Sequence, residues 1–171
     1  GNIFDVPYAV DNAAFQNTST ADEANDLRQS FGVAPTQKLI LFAGKFQQRK
    51  NPDHLIEAVN MIGQNQSPKL VYVGDGEMRR VLEAAAPPDT VFTGFKNQSE
   101  LPAYYAAADV FVLPSEREPW GLALNEAMAS GTAVVASDQC GAAFDLVTPE
   151  TGRIVQAGDV SALASAITEV L

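Results

Sequence analysis

Hydrophobic residues along the chain fall into short, uninterrupted runs, separated by longer segments in which they recur at helical spacing. Runs of this kind are typical of strands that a sheet buries on both faces. The pattern predicts six strands, at residues 38–44, 69–76, 90–95, 109–115, 132–138 and, shorter, 152–158.

The segments between these runs carry start and stop signals for helices. Segment 51–63 offers Asn51 as N-cap, Pro52 at the first helical position and Gly63 just past the end. Segments 76–86, 99–108 and 158–171 follow the same logic, the last with Asp159 as its cap. Strand–helix alternation at this spacing implies right-handed crossovers, so we predict a doubly wound α/β domain with a parallel sheet covered on both sides. In such sheets ligands bind beyond the carboxyl ends of the strands.

Composition and charge exclude several classes of function. The 171 residues, 46% of them hydrophobic, can bury one full core, and no run is long and apolar enough to cross a membrane. Without an export signal in the N-terminal residues, we expect a cytoplasmic protein. The net charge of −10 argues against nonspecific binding to nucleic acid or to anionic membranes. One cysteine, Cys140, and one histidine, His54, leave too few ligands for a His/Cys metal site and are interpreted as packing or surface residues.

Two of the loops that follow strands carry candidate chemistry. In AGKFQQRKN, the cations Lys45, Arg49 and Lys50 precede a helix start, where the helix dipole favours anions, so the loop either binds an anion or is simply solvated. In the next loop, GDGE, Gly74 and Gly76 let the backbone approach another group closely. The third glycine of a dinucleotide-binding turn is absent. The acids of that loop, Asp75 and Glu77, suggest either a metal clamp or, as we favour, a tight turn with solvated side chains.

The third loop contains two carboxylates, Glu118 before a Pro-Trp-Gly turn and Glu126 within the apolar run LALNEAMA. We predict a helix that starts near Gly121 or Leu122 and ends at Gly131. The residues expected to pack inward are Leu122, Leu124, Ala127 and Met128. Both glutamates can then approach the volume over the helix N-terminus, where backbone N–H groups favour phosphate and a carboxylate can accept hydrogen bonds from a vicinal diol. The alternative, an acid that only complements the helix dipole, explains one glutamate but not the turn.

Together these blocks resemble the C-terminal, donor-binding half of a family 4 (group 1) retaining glycosyltransferase of the GT-B fold. The stretch EPWGLALNE matches the family's signature of a glutamate, seven residues and a glutamate, and AGKFQQRKN matches its glycine-arginine, four residues, lysine loop. AMASGTAVVASD, after the signature, matches the family's usual continuation, and VGDGE, FTGF, YYAAADVFVLPS and TGRIVQAGDVSALASAI match further family blocks in the expected order. The resemblance covers nearly the whole chain and implies an α/β, Rossmann-like parallel sheet. The chain also resembles the bacterial members that build surface polysaccharides.

The resemblance also implies roles for the charged residues. Glu126 would bond the ribose hydroxyls of the donor nucleotide, and Glu118 would contact hydroxyls of the transferred sugar. Lys45 and Lys50 would hold the diphosphate and neutralise the charge that grows on it, so that no metal is required. Glu118, Lys45 and Lys50 are therefore the expected catalytic residues. The family usually has arginine in place of Lys45, and a lysine supplies charge without the bidentate fork.

The remaining donor-binding residues follow from the same resemblance. Phe95 and Lys96 fall where the family packs and bonds the base, and Gly121 and Leu122 would offer backbone N–H groups to the sugar or phosphate. Gly74, in the second loop, completes the expected donor site. The donor would be a UDP-, GDP- or ADP-sugar, and the sequence does not indicate which of them, nor the sugar, the acceptor or the linkage.

The resemblance divides the chain into a lead-in segment, residues 1–20, and a donor-binding domain, residues 21–171. Residues 6–15 resemble the segment that joins the two domains of the family, so we expect the acceptor-binding domain to be missing, together with any peripheral membrane contact that it makes. Alone, the chain should be inactive. The alternatives are a GT-B sugar-nucleotide epimerase or phosphorylase domain and a non-catalytic binding module. Epimerases usually carry a different glutamate and histidine pattern, which favours transfer.

Overall fold

The computed structural model describes residues 10–17, 21–62 and 67–171. Its strands are β1 (Leu39–Ala43), β2 (Lys69–Val73), β3 (Val91–Phe92), β4 (Val110–Leu113), β5 (Ala133–Ser137) and β6 (Gly152–Val155). They form one sheet in the order β3-β2-β1-β4-β5-β6, and every neighbouring pair is parallel.

Helices cover both faces of this sheet. They are α1 (Asn12–Asn17), α2 (Ala21–Ser30), α3 (Pro52–Ile62), α4 (Arg79–Ala85), α5 (Leu101–Ala107), α6 (Leu122–Ala129), α7 (Ala143–Leu146) and α8 (Val160–Val170). Side chains of α3, α4 and α8 join one hydrophobic core, whereas those of α1, α5, α6 and α7 join the other. The predicted doubly wound α/β fold is confirmed.

The central strands show why their sequences lack alternation. In β1 every residue is buried, because Ile40 and Phe42 enter one core while Leu39 and Leu41 enter the other. The edge strands β3 and β6 are only half-buried over most of their length, so the prediction that all strands are buried on both faces is wrong at the two edges of the sheet.

Several element boundaries differ from the prediction. The strand predicted at 69–76 ends at Val73, because Gly74 and Gly76 adopt positive φ angles of 130° and 159° and turn the chain. Helix α3 begins at Pro52 as predicted, but Asn51 is left-handed, with φ 46°, and its side-chain amide donates to the Pro114 carbonyl.

Two predicted helix ends have different outcomes. Gly63, the predicted end of α3, lies outside the described residues. The Asp159 cap is confirmed, since its carboxylate accepts a hydrogen bond from the Ala162 N–H at 2.8 Å.

The hydrophobic pattern missed the helices α1, α2 and α7. Helix α1 falls within the predicted lead-in segment, and its Phe15 is buried against Tyr105, with ring centroids 6.0 Å apart. No helix in the described part of the chain is both long enough and apolar enough to cross a membrane.

Candidate functional site

The strand order places one crevice at the middle of the sheet. The chain winds from β1 outward to β2 and β3, then crosses to β4 on the other side of β1. At such a reversal the loops beyond the carboxyl ends of the strands diverge and leave space for a ligand. The loops after β1, β2, β3 and β4 all reach this space, and they carry the residues that the sequence singles out.

Two adjoining pockets occupy the crevice. The Glu126 pocket, of about 670 Å³, is lined by Ala43, Gly44, Lys45, Lys50, Val73, Gly74, Asp75, Gly76, Phe95, Lys96, Leu101, Tyr105, Ala123 and Glu126. The Glu118 pocket, of about 640 Å³, is lined by Arg49, Lys50, Arg117, Glu118, Pro119, Trp120, Gly121, Leu122 and Ala123. Lys50 and Ala123 belong to both. Every predicted site residue therefore lines one pocket or the other.

The basic loop after β1 meets a carboxylate of the protein itself. Lys50 Nζ lies 2.8 Å from Glu118 Oε2, and Arg49 Nη1 lies 3.7 Å from the same oxygen. The Lys50 and Glu118 side chains are only 14% and 12% exposed. Oε2 is buried and accepts no well-directed hydrogen bond from the described residues, so charge holds this pair together. The sequence predicted that this loop either binds an anion or is solvated, and in the structure the carboxylate of Glu118 lies beside two of its cations.

Lys45, in contrast, is exposed at the rim of the Glu126 pocket. Within the described residues no carboxylate lies within 4.0 Å of its ammonium group, as none of the ion pairs found there includes it. Its positive charge therefore faces the crevice without a neutralising partner in that part of the chain.

The loop that carries Glu118 is fastened to the segment after β5. The Glu118 N–H donates to the Gln139 carbonyl at 3.1 Å, and the Gly141 N–H donates to the Glu118 carbonyl at 3.0 Å. Sequence reasoning did not find this second anchor. Cys140, within the same segment, is fully buried, and burial raises the pKa of its thiol to about 11, in keeping with the predicted packing role.

Helix α6 begins at Leu122, after Gly121 with φ 95°, and Gly131 follows its end, as predicted. A Cβ on Gly121 would lie 2.6 Å from Cys140 Sγ, so only glycine fits this turn. The prediction that Leu122 packs inward is wrong, because its side chain is 45% exposed and faces the Glu118 pocket. Leu124 and Ala127 take the buried positions of this helix.

Glu126 lies within α6 and is partly buried at the wall of its pocket. The Tyr105 hydroxyl donates a hydrogen bond to Glu126 Oε2 at 2.9 Å. Burial raises the pKa of the Glu126 carboxyl, and the hydrogen bond from Tyr105 opposes that shift. Tyr105 is the main residue of the site that sequence reasoning missed, and its only signal was a place in the YYAAAD block.

Close backbone contacts require glycine at the two positions after β2, Gly74 and Gly76. A Cβ on Gly74 would strike the Gly44 carbonyl of the neighbouring loop, and a Cβ on Gly76 would strike the backbone of Phe46. The close approach predicted from these glycines is thus made by protein backbone, although Gly74 does line the Glu126 pocket.

The acids of this loop form a turn. Asp75 accepts a hydrogen bond from the Gly76 N–H at 2.7 Å and pairs with Arg79 at 3.1 Å. Within the described residues, no three His, Cys, Asp or Glu side chains are grouped so that they could hold a metal ion.

The loop after β3 forms the outer wall of the Glu126 pocket. Phe95 is 79% exposed there, so its ring is free to pack against a ligand. Lys96 Nζ lies 3.3 Å from Glu100 Oε1 and 5.7 Å from the centroid of the Tyr104 ring. An exposed aromatic ring beside a cation suits a flat, anionic or polar ligand.

The family model for glycosyl transferases group 1 matches residues 23–171 of this chain. An uncharacterized glycosyltransferase of Methanocaldococcus jannaschii is 38% identical over 138 residues, which make up 78% of this chain and 35% of that protein. A GDP-mannose-dependent alpha-mannosyltransferase of Mycolicibacterium smegmatis is 38% identical over 128 residues, which make up 74% of this chain and 34% of that protein. The chain thus spans about a third of the length of these relatives, which come from an archaeon as well as a bacterium.

Among solved structures, an Anabaena protein in complex with UDP-glucose superimposes on the chain with a TM-score of 0.80 at 27% sequence identity. The match covers 94% of this chain and 45% of that one.

Proposed function

The chain belongs to the glycosyl transferases group 1 family, and we propose from this premise that it binds the nucleoside-diphosphate sugar donor of a retaining glycosyltransferase. The observation that carries the proposal is the pair of adjoining pockets, which share Lys50 and contain one glutamate each. A nucleotide sugar has the matching layout: a nucleoside, a diphosphate and a sugar in line. The relatives support it, because one is GDP-mannose-dependent by name and a similar structure holds UDP-glucose.

The nucleoside occupies the Glu126 pocket in this proposal. Its volume of about 670 Å³ lies within the usual range for small-ligand sites. Phe95 packs on the base, with Lys96 beside it, and Glu126 accepts hydrogen bonds from the ribose hydroxyls. Gly74 forms part of the floor without a specific contact.

The diphosphate lies at the boundary of the two pockets, between Lys45 and Lys50. Lys45 brings a charge that no carboxylate in the described part of the chain neutralises. Lys50 exchanges part of its interaction with Glu118 for the phosphate oxygens. Both cations stabilise the charge that develops on the leaving diphosphate, which is the electrostatic form of catalysis. In this role Lys45 acts as a point charge and not as a bidentate clamp.

The transferred sugar lies in the Glu118 pocket, where Glu118 accepts from its hydroxyls and the backbone N–H groups of Gly121 and Leu122 contact the sugar or phosphate. Complete transfer to a glycan or related acceptor then needs a second domain facing these pockets, to exclude water and align the acceptor hydroxyl. The 171-residue chain should bind donor nucleotide and transfer no sugar at a meaningful rate.

Calorimetric titration of the 171-residue chain with UDP, GDP, ADP and pyrophosphate tests the proposal. We expect at least one nucleoside diphosphate to bind more tightly than pyrophosphate, because only the nucleotide fills the Glu126 pocket. Absence of binding by all three nucleotides would contradict the proposed function. A parallel assay with nucleotide sugars and simple acceptors should show no robust turnover.

A further inference from the structure

Tyr105 is held rigidly beneath the Glu126 pocket. Tyr105 is 1% exposed, and its ring contacts those of Phe15 and Phe111, with centroid distances of 6.0 and 5.5 Å. The Thr132 hydroxyl donates to the Tyr105 carbonyl at 2.7 Å, which fixes the backbone of α5 at this point. Close packing around so deeply buried a ring holds its hydroxyl oxygen in one position.

The Tyr105 hydroxyl contacts the carboxylate of Glu126, which has no ion pair among the described residues. It donates to Glu126 Oε2 at 2.9 Å, and within the described residues no lysine or arginine nitrogen lies within 4.0 Å of the Glu126 carboxylate, since none of the ion pairs found there includes it. An ionised carboxylate has about four acceptor positions, so one bond from Tyr105 leaves the others for a ligand.

We propose that Tyr105 is a positioning residue for donor binding: its hydroxyl sets the Glu126 carboxylate in the orientation that accepts the ribose diol. This inference rests on the proposed function of Glu126. A glutamate side chain that rotates freely loses rotamer entropy when a ligand orders it, and a fixed partner removes that cost before the ligand arrives. Tyr105 touches Glu126 and acts on the nucleotide through it.

The experiment compares Tyr105→Phe with wild type by calorimetry, using the tightest-binding nucleoside diphosphate of UDP, GDP and ADP, and pyrophosphate as a probe without a diol. Tyr72→Phe is the matched control, because Tyr72 is also fully buried and its hydroxyl donates to the Pro52 carbonyl at 2.6 Å, in the opposite core. Circular dichroism and urea unfolding establish that each variant is folded. Glu126→Ala and the double variant with Tyr105→Phe complete a double-mutant cycle.

We expect Tyr105→Phe to weaken nucleotide binding roughly three- to tenfold, the effect of one lost hydrogen bond to a charged group acting indirectly. Pyrophosphate binding should stay within about twofold, and Tyr72→Phe should alter neither affinity. In the Glu126→Ala background, adding Tyr105→Phe should cost nothing further, because there is no carboxylate left to orient.

Three results would overturn the inference while leaving the proposed function intact: unchanged nucleotide affinity in Tyr105→Phe, equal losses for nucleotide and pyrophosphate, or losses that multiply in the double variant. A wild-type chain that binds none of the three nucleotides would overturn both.

Discussion

The two glutamates of the site sit in opposite electrostatic surroundings. Glu118 lies on a loop beside Lys50 and Arg49, and its side chain is 12% exposed. Glu126 lies on a helix, has a neutral phenol as its hydrogen-bond partner, and burial raises the pKa of its carboxyl. Glu118 is thus paired with cations before any ligand arrives, whereas Glu126 has no ion pair within the described residues.

This difference indicates two separate tasks. Glu118 is ion-paired with the basic loop, so in the proposed donor site an incoming phosphate would have to compete with it for Lys50. In the same proposal the carboxylate of Glu126 is the hydrogen-bond acceptor, and the neutral Tyr105 hydroxyl orients it. In the proposed site, the first glutamate of the motif, Glu118, therefore balances charge, and the second, Glu126, accepts hydrogen bonds.

The largest effect should come from breaking the turn that joins the two glutamates. Gly121→Ala places a Cβ 2.6 Å from Cys140 Sγ at φ 95°, so we expect a loss of about 2–4 kcal/mol in unfolding free energy, measured in urea, with loss of ligand binding. Gly131→Ala is the control: its φ is also positive, at 79°, but among the described residues, its two chain neighbours aside, no atom lies within 4 Å of the added Cβ. About 1 kcal/mol is expected for this variant. Equal destabilisation of the two variants would contradict this account of the turn.

The next largest effect should distinguish Lys50, which is ion-paired with Glu118, from the exposed Lys45. Lys50→Met removes the nearer of the two cations beside the largely buried Glu118 side chain and leaves only Arg49 at 3.7 Å. It should therefore lower the unfolding free energy by about 1–3 kcal/mol and nucleotide affinity about tenfold or more. Lys45→Met removes an exposed charge and should weaken nucleotide binding without measurable loss of stability. Urea unfolding and calorimetry measure both quantities. If Lys45→Met proved as destabilising as Lys50→Met, the assigned partners would be wrong.

Neutral variants of the glutamates should shift pyrophosphate binding differently. Glu118→Gln frees Lys50 and Arg49 from a competing carboxylate, so pyrophosphate should bind roughly threefold more tightly. Glu126→Gln should leave pyrophosphate binding unchanged and weaken nucleoside diphosphates about fivefold, because an amide offers fewer acceptor positions to a diol. Calorimetry with both probes checks this, and equal losses for both probes in Glu126→Gln would favour a structural role for that residue.

The smallest effect concerns pH. Because burial raises the pKa of the Glu126 carboxyl, it takes up a proton at higher pH than an exposed glutamate and then loses acceptor capacity. As pH falls from about 7 toward 5.5, wild-type nucleotide affinity should decline a few-fold more than that of Glu126→Gln. Glu126→Gln is the control, because its phosphate ligand and its other groups still take up protons and only residue 126 does not. Parallel pH profiles for the two proteins would show that the charge of Glu126 is not used.

The sequence was sufficient for the central architecture. Uninterrupted runs such as LILFA predict strands buried on both faces because each alternate residue enters a separate core. At the sheet edges the same reasoning fails, since β3 and β6 lack a neighbour on one side and are half-buried. The short helix α7 was missed because four residues cannot show a helical period.

Most residues of the candidate site, Tyr105 excepted, were predictable from the sequence, but their contacts were not. Strand-end loops indicated the lysines and glutamates that line the two pockets. The pairing of Lys50 with Glu118, and of Tyr105 with Glu126, joins residues far apart in the chain, and no local pattern encodes it. The exposure of Leu122 likewise depends on how α6 is rotated against its neighbours.

A crystal structure of the 171-residue chain with its tightest-binding nucleoside diphosphate tests the central claim most directly. The account predicts that Glu126 carboxylate oxygens lie within about 2.6–3.2 Å of both ribose hydroxyls, with the diphosphate between Lys45 and Lys50 and the Glu118 pocket open for the sugar. A nucleotide whose ribose contacts Glu118, or which binds outside the two pockets, would contradict it.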